Sequence, residues 1–368
     1  MSLIHALLVI DDDVVRRMGA LVRHLCVGMI DEAVQVTVLS RSASPWTSEG
    51  VGVSKTAAIP QRRWPWNRPG SDEVLRILGG QVPDVVHCMS ADLAGWVHRW
   101  CADWGSVLVV QLCDLDDVEQ FVGLRSEARM MGMALTPSLE RALLMRAPEM
   151  REQVRVVTPG LPAESTAAGM EDAQQTPTAI VTAPLTRGCG LSTVLRALRL
   201  VAKEDLDVQL FVLSGGPAEA RFRREVDDLD LRSRVTFAEP MRDWATTYKA
   251  MMAADFFINP GGANRFTITT LAALAGGLIV LAPAGGFEDY LIDGSNASLF
   301  EPQRHKQLAE RWIALLKDRT AARQMAEAAL EYAREHLQAS AMVSRTAALY
   351  RQLSQAQPAG ATTGDRAG

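Results

Sequence analysis

The feature that most constrains this chain is a pattern that occurs twice: short apolar runs alternating with amphipathic segments, in two series separated by a polar stretch. In the first series the apolar runs fall at residues 4–10, 34–39, 85–88, 107–112, 133–136 and 154–158. Short runs that are apolar throughout, rather than at every second residue, mark parallel strands buried on both faces. Between them lie segments such as 14–26, where Val15, Met18, Leu21, Val22 and Leu25 recur at helical spacing. Residues 161–178 are rich in Ala, Glu, Ser, Thr, Gln and Pro, the composition of a solvated linker. The alternation then resumes, with apolar runs at 179–183, 208–214, 235–238, 256–259, 278–282 and 297–300. Helical segments in that half fall at 191–201, 218–228, 244–253, 268–275, 306–316 and 320–336. The reading is an α/β chain with two domains, 1–160 and 179–338, joined by the linker at 161–178. A helix at 340–354 is expected to pack back on the first domain, and a tail at 355–368 to be disordered. In open parallel sheets of this kind ligands sit at the carboxyl ends of the strands, so a cleft between the two domains is the expected binding place.

Composition narrows the classes. With 368 residues, 48% hydrophobic and 22% charged, the chain has the balance of a soluble globular protein of two moderate domains. A net charge of −5 argues against a nucleic-acid binder. The five cysteines, Cys26, Cys88, Cys101, Cys113 and Cys189, are odd in number and lack C-x-x-C spacing, so they read as reduced thiols in a cytoplasmic protein. The N-terminal apolar run leads straight into Asp11, Asp12 and Asp13, and the one at 271–284 is broken by Gly276, Gly277 and Pro283. Neither is a membrane span; peripheral membrane contact stays open.

The second half carries a run of motifs in a fixed order. Val181-Thr-Ala-Pro-Leu185 leads through Gly190 into a helical segment, and Val208-Gln-Leu-Phe-Val-Leu-Ser-Gly-Gly-Pro217 is a strand ending in a glycine turn. Leu229-Asp-Leu-Arg-Ser-Arg-Val-Thr-Phe237 follows, then Ala254-Asp-Phe-Phe-Ile-Asn-Pro260, Leu271-Ala-Ala-Leu-Ala-Gly276, Gly285-Gly-Phe-Glu288 and Asp293-Gly294. This series resembles the family-4 retaining glycosyltransferases of the GT-B fold. Weaker landmarks in the first half are Pro83-Asp-Val-Val-His87, Ala134-Leu-Thr-Pro-Ser138 and Val156-Val-Thr-Pro-Gly160; they extend the likeness over about residues 80–336. The resemblance implies two Rossmann-like domains, a nucleotide-diphosphate sugar as donor, a glycan or lipid acceptor, and no cofactor or bound metal.

It also implies a set of donor-site residues, and here the chain departs from the family. The leaving diphosphate needs positive groups and N–H donors, which the family supplies with an Arg and a Lys; those positions match Pro184 and Cys189. Arg187 on the same loop and Arg265 are the candidate substitutes. A pair of family glutamates falls on Asn264 and Ala272, and a family His falls on Cys113. The glycine loop expected after the first strand is replaced by Asp11, Asp12 and Asp13. What survives as candidate donor-binding residues is Arg187, Gly215, Gly216, Asn264, Arg265, Gly285, Gly286, Phe287 and Glu288, with His87 on the acceptor side.

Each of these has a plainer alternative. Gly215 and Gly216 either approach a ligand or merely end a strand. The N–H groups of the Gly285–Glu288 loop either cradle an anion or shape a turn, and Glu288 is a ligand group or an exposed helix-start carboxylate. His87 at a strand end and Cys113 read more readily as buried structural side chains than as catalysts. The three aspartates read as helix capping rather than as metal ligands. Residues 41–69, with Trp46, Trp64 and Trp66 among prolines and arginines, read as a long irregular loop. Two functions remain open: a working transferase with an altered donor site, or a catalytically inactive descendant serving as a binding or scaffold module.

Overall fold

The computed structural model describes residues 3–40, 55–58, 69–124, 129–167, 175–239, 243–261 and 266–355. Trp46, Trp64, Trp66, Asn264, Arg265 and the tail beyond residue 355 lie outside the described residues.

The first domain is built around β1 (Ile4–Ile10), whose seven residues are all buried. Leu7, Leu8, Val9 and Ile10 follow one another without a polar break because helices cover both faces of the sheet. His5, the exception, has Thr37 Oγ1 2.9 Å from its Nε2. Helix α1 (Asp12–Gly28) buries Val14, Met18, Leu21, Val22 and Leu25 along one stripe. Then come β2 (Val34–Ser40), β3 (Lys55–Ala58), α2 (Ser71–Ile77), β4 (Val85–Cys88), α3 (Ala91–Trp104), β5 (Val107–Leu112), α4 (Leu115–Gly123), β6 (Met130–Ala134), α5 (Pro137–Arg146) and β7 (Val154–Val156). The strands pair in parallel in the order β3-β2-β1-β4-β5-β6-β7.

The second domain repeats the plan with β8 (Thr178–Val181), α6 (Leu191–Lys203), β9 (Gln209–Leu213), α7 (Glu219–Asp228), β10 (Val235–Ala238), α8 (Trp244–Met252), β11 (Phe256–Ile258), α9 (Ile268–Ala275), β12 (Ile279–Pro283), β13 (Ser298–Phe300), α10 (His305–Lys317) and α11 (Arg319–His336). Its parallel order is β10-β9-β8-β11-β12-β13. In both sheets the strand order reverses beside the first strand, which opens a crevice between β1 and β4 and another between β8 and β11.

The last helix, α12 (Ala339–Gln355), leaves the second domain and packs on α1, β1 and β4 of the first. Tyr350 anchors it with its hydroxyl 2.6 Å from His87 Nδ1, and Arg351 pairs with Glu32 at 2.6 Å. The two chain crossings between domains touch: Leu161 N–H donates to Leu337 O at 2.9 Å, and a side chain at Gly160 would overlap the Gln338 backbone.

Two expectations shift. The strand expected at 133–136 ends at Ala134, because Leu135 and Thr136 turn the chain into α5, where Pro137 takes a first-turn position. The region read as one loop at 41–69 contains β3, an edge strand whose sequence, Lys-Thr-Ala-Ala, has little apolar signal. Among the described residues no helix is long and apolar enough to cross a membrane.

Candidate functional site

The site lies where the carboxyl ends of β6, β11 and β12 approach one another between the domains. β11 is followed by Asn259, whose Oδ1 accepts from Gly261 N at 3.0 Å. That bond fixes the amide, so its Nδ2 points the other way, to Thr270 Oγ1 at 3.2 Å and to the two Glu288 oxygens at 3.3 and 3.5 Å. Thr270 is presented by α9 and is fully buried. Glu288 comes from the turn after β12 and is half-buried, with Asn259 and Thr270 against its carboxyl. Burial pushes that carboxyl up to about 7, against the hydrogen bonds from Thr270 and Asn259 that favour its charge. It therefore changes protonation near neutral pH.

The first domain closes the other side. Thr136 and the first turn of α5 border a recess with Asn259, Phe266, Phe287 and Glu288, with a free volume of about 40 Å³. The mouth is fastened by Asp289: Ser138 N donates to its Oδ2 at 2.6 Å, the Ser138 hydroxyl donates to Oδ1, and Arg141 lies 3.7 Å away. A backbone bond from Phe266 N to Cys113 O at 3.1 Å adds a second tie between the domains.

Glycines shape the second-domain walls for different reasons. Gly190 has φ +81°, and a side chain there would overlap the carbonyl oxygens of Pro260 and Gly261. Gly216 is packed against the Leu185 backbone, and Gly215 O accepts from Leu185 N at 3.1 Å. Strand-end packing accounts for that pair without a ligand. Gly285 is different: its φ of +77° sits in open space, and a side chain at Gly286 would meet only Glu288 Oε2 at 3.9 Å. Arg187 is exposed beside the start of α6 and makes no ion pair among the described residues.

Several sequence candidates fall elsewhere. Cys113 is fully buried, and burial, then the nearby Asp117, holds its thiol well above the usual range; it is a packed side chain. Cys189 is 7% exposed, and all five cysteines are free and buried. Ala272 belongs to the apolar core that runs from α9 into the first domain. His87 is corrected outright: it is fully buried against Tyr350, and burial lowers its pKa to about 3, so it has no access to an acceptor. Asp11 caps α1 through Val14 N at 2.9 Å, and Asp13 pairs with Arg17 at 2.6 Å. Among the described residues no three His, Cys, Asp or Glu side chains converge as a metal site.

Solved structures superpose on the whole of this two-domain arrangement. Sucrose-phosphate synthase from Thermosynechococcus elongatus superposes with a TM-score of 0.76 at 19% identity, over 96% of this chain and 100% of that one. Anabaena HepE in complex with UDP-glucose gives 0.78 at 14%, over 95% and 99%. The fold is GT-B. A glycosyltransferase from Rickettsia africae ESF-5 matches with a TM-score of 0.73 at 12% identity, covering 96% of this chain and 99% of its own. Residues 171–332 match the family model of glycosyl transferases group 1. No curated protein matches the chain in sequence at a significant level. Asn259, Thr270 and Thr136 were not singled out from sequence. Their one signal is a polar residue ending or following an apolar run, in Phe-Phe-Ile-Asn and Ala-Leu-Thr.

Proposed function

We propose that this protein transfers a sugar from a nucleoside-diphosphate sugar to a glycan or lipid acceptor, with retention at the anomeric carbon, and does so in the cytoplasm. The observation that carries the reading is the Glu288 carboxyl, braced by Asn259 and Thr270 beside the open turn at Gly285 and Gly286. Burial raises its pKa to about 7, the kind of shift that clusters at functional sites. HepE, of the same fold, has been crystallised with UDP and with UDP-glucose, and TarM with UDP and fondaparinux; these support the donor class. Retention rests on the family-4 resemblance of residues 181–294.

Arg187 and the N–H groups at the start of α6, which has no side-chain cap, supply the positive end for the leaving diphosphate. Gly285 and Gly286 leave backbone open beside Glu288. Loss of one well-aimed donor typically costs about 10²–10³ in rate. With Pro184 and Cys189 at the family's two cationic positions, slow turnover is expected.

A second reading, a nucleotide-sugar-binding module without catalysis, is favoured by one observation: Ala272 and Cys113 are built into apolar core rather than into the cleft. Thermal denaturation with UDP, GDP and ADP at millimolar concentration, followed by assay of diphosphate release from the matching nucleotide sugars, separates the readings. A melting shift with slow release supports the transferase. A shift without release supports the module, and no shift with any of the three removes both.

A further inference from the structure

We infer that the recess between Thr136 and Glu288 is the specificity pocket for a hydroxyl-bearing edge of the transferred sugar. The inference rests on the nucleotide-sugar reading and adds which part of the donor is read and by what.

Three observations carry it. The first is an unspent hydroxyl. Thr136 is 1% exposed, its Oγ1 has no hydrogen-bond partner, and it lies on the wall of the recess. A buried hydroxyl left unpaired is unfavourable, and at the start of α5 Thr136 is placed to cap the helix yet makes no cap bond. The second is the opposing wall. Asn259 is fully committed to Gly261, Thr270 and Glu288, so it serves as a brace that aims the Glu288 carboxyl. Two oxygen-bearing groups from two domains thus border one small space.

The third observation is size and polarity. About 40 Å³ holds roughly two or three water molecules. A nucleobase does not fit, and the Glu288 carboxylate on one wall repels phosphate whenever it is ionised. A carbon bearing a hydroxyl does fit: the group donates to Glu288 and accepts from Thr136, while its C–H side meets Phe266 and Phe287. Asp289, next to Glu288 in sequence, ties the loop to Ser138 at the start of α5. The pocket is therefore complete only when the domains are fastened together, which couples sugar recognition to closure.

A site built to bond a hydroxyl rejects analogues that lack it far more strongly than an apolar pocket does. The test compares, by equilibrium binding, each of UDP, GDP and ADP with its glucose, galactose, mannose and xylose conjugates. The wild type, Thr136→Val and Glu288→Gln are each titrated. At least one hexose conjugate is expected to bind about tenfold more tightly than its bare diphosphate. Each variant is expected to remove most of that gain, and Thr136→Val to leave the bare diphosphate's affinity within about twofold. The melting temperature of Thr136→Val should equal or exceed that of the wild type, since no protein partner is lost; a fall would assign the hydroxyl a structural bond instead and count against the pocket. If bare diphosphate and all conjugates bind alike, or if both variants keep the full sugar-dependent gain, the specificity pocket is wrong while the nucleotide-binding reading stands. If no nucleotide binds at all, both fall together.

Discussion

The two domains share one strand order and treat their strand ends in opposite ways. In the first, the polar groups at the carboxyl ends bond to one another. Asp11 caps α1, Asp114 caps α4 through Asp117 N at 2.8 Å, and the Asp117 carboxyl takes Ala91 N and Cys113 N, both at 2.9 Å. Burial, then the neighbouring Asp114, pushes Asp117 up to about 6, and His87 is spent on Tyr350. In the second domain Asn259, Thr270 and Glu288 also bond to one another, but the turns beside them are left open: Gly285 turns in empty space, α6 has no side-chain cap, and Arg187 makes no ion pair among the described residues. One architecture thus ends once in a closed lobe and once in an open face. Thr136 is the exception, a free hydroxyl on the closed lobe turned toward the open one.

Substitutions can break this contrast, and the glycines should do so most strongly. Gly190→Ala forces a left-handed backbone and a backbone overlap together, so a loss on the order of 3 kcal/mol or more is expected in denaturant unfolding. Gly285→Ala, with a similar φ but open space, should cost only about 1–2 kcal/mol. Equal losses would mean that the two turns are not built differently.

Next in size is the titration of Glu288. Its folded-state pKa, raised by burial from 4.5 to about 7, means that the native state holds its proton longer than the unfolded chain. The associated stability is present below about pH 4.5 and is lost as pH rises toward 7, up to about 3 kcal/mol in all. Glu288→Gln should therefore gain on the wild type as pH rises through that window, and a difference that stays flat from pH 5 to 8 would place the carboxyl in water. Asp117, common to both proteins, cancels in that difference.

Smaller effects sharpen the account of the closed lobe and its fastening. Tyr350→Phe leaves the His87 ring nitrogen unpaired and should cost about 1–2 kcal/mol, measured by unfolding and by faster hydrogen exchange along α12. Unchanged exchange would mean that α12 is held by its apolar face alone. Asp289→Ala removes a largely exposed tie, so global stability should fall by less than about 1 kcal/mol, whereas exchange at Ser138 N–H should rise sharply. Protection that persists there would free the domains from this contact.

The sequence made the architecture legible because buried parallel strands and amphipathic helices leave separate periodicities, strong enough that α9 was placed at its observed bounds. It failed where the signal is not periodic. β3 is an edge strand with a polar, small-residue sequence, and β6 was displaced because Leu135 and Thr136 continue an apolar run while the backbone already turns. The site was legible at Gly285–Glu288, where glycines and an acid break a strand pattern. Asn259, Thr270 and Thr136 were illegible because their importance lies in meeting across 123 or more residues of chain between Thr136 and Asn259, which no local pattern records. The family positions that read as losses, Cys113 and Ala272, proved to be core.

The account turns on the second domain's open face holding a diphosphate. Calorimetric titration of UDP, GDP and ADP into the protein and its Arg187→Ala variant tests this most directly. One nucleotide should bind at a single site, with the variant weaker by about tenfold or more, the worth of a charge-assisted bond. No heat of binding at millimolar nucleotide, or identical affinity in the variant, would contradict it.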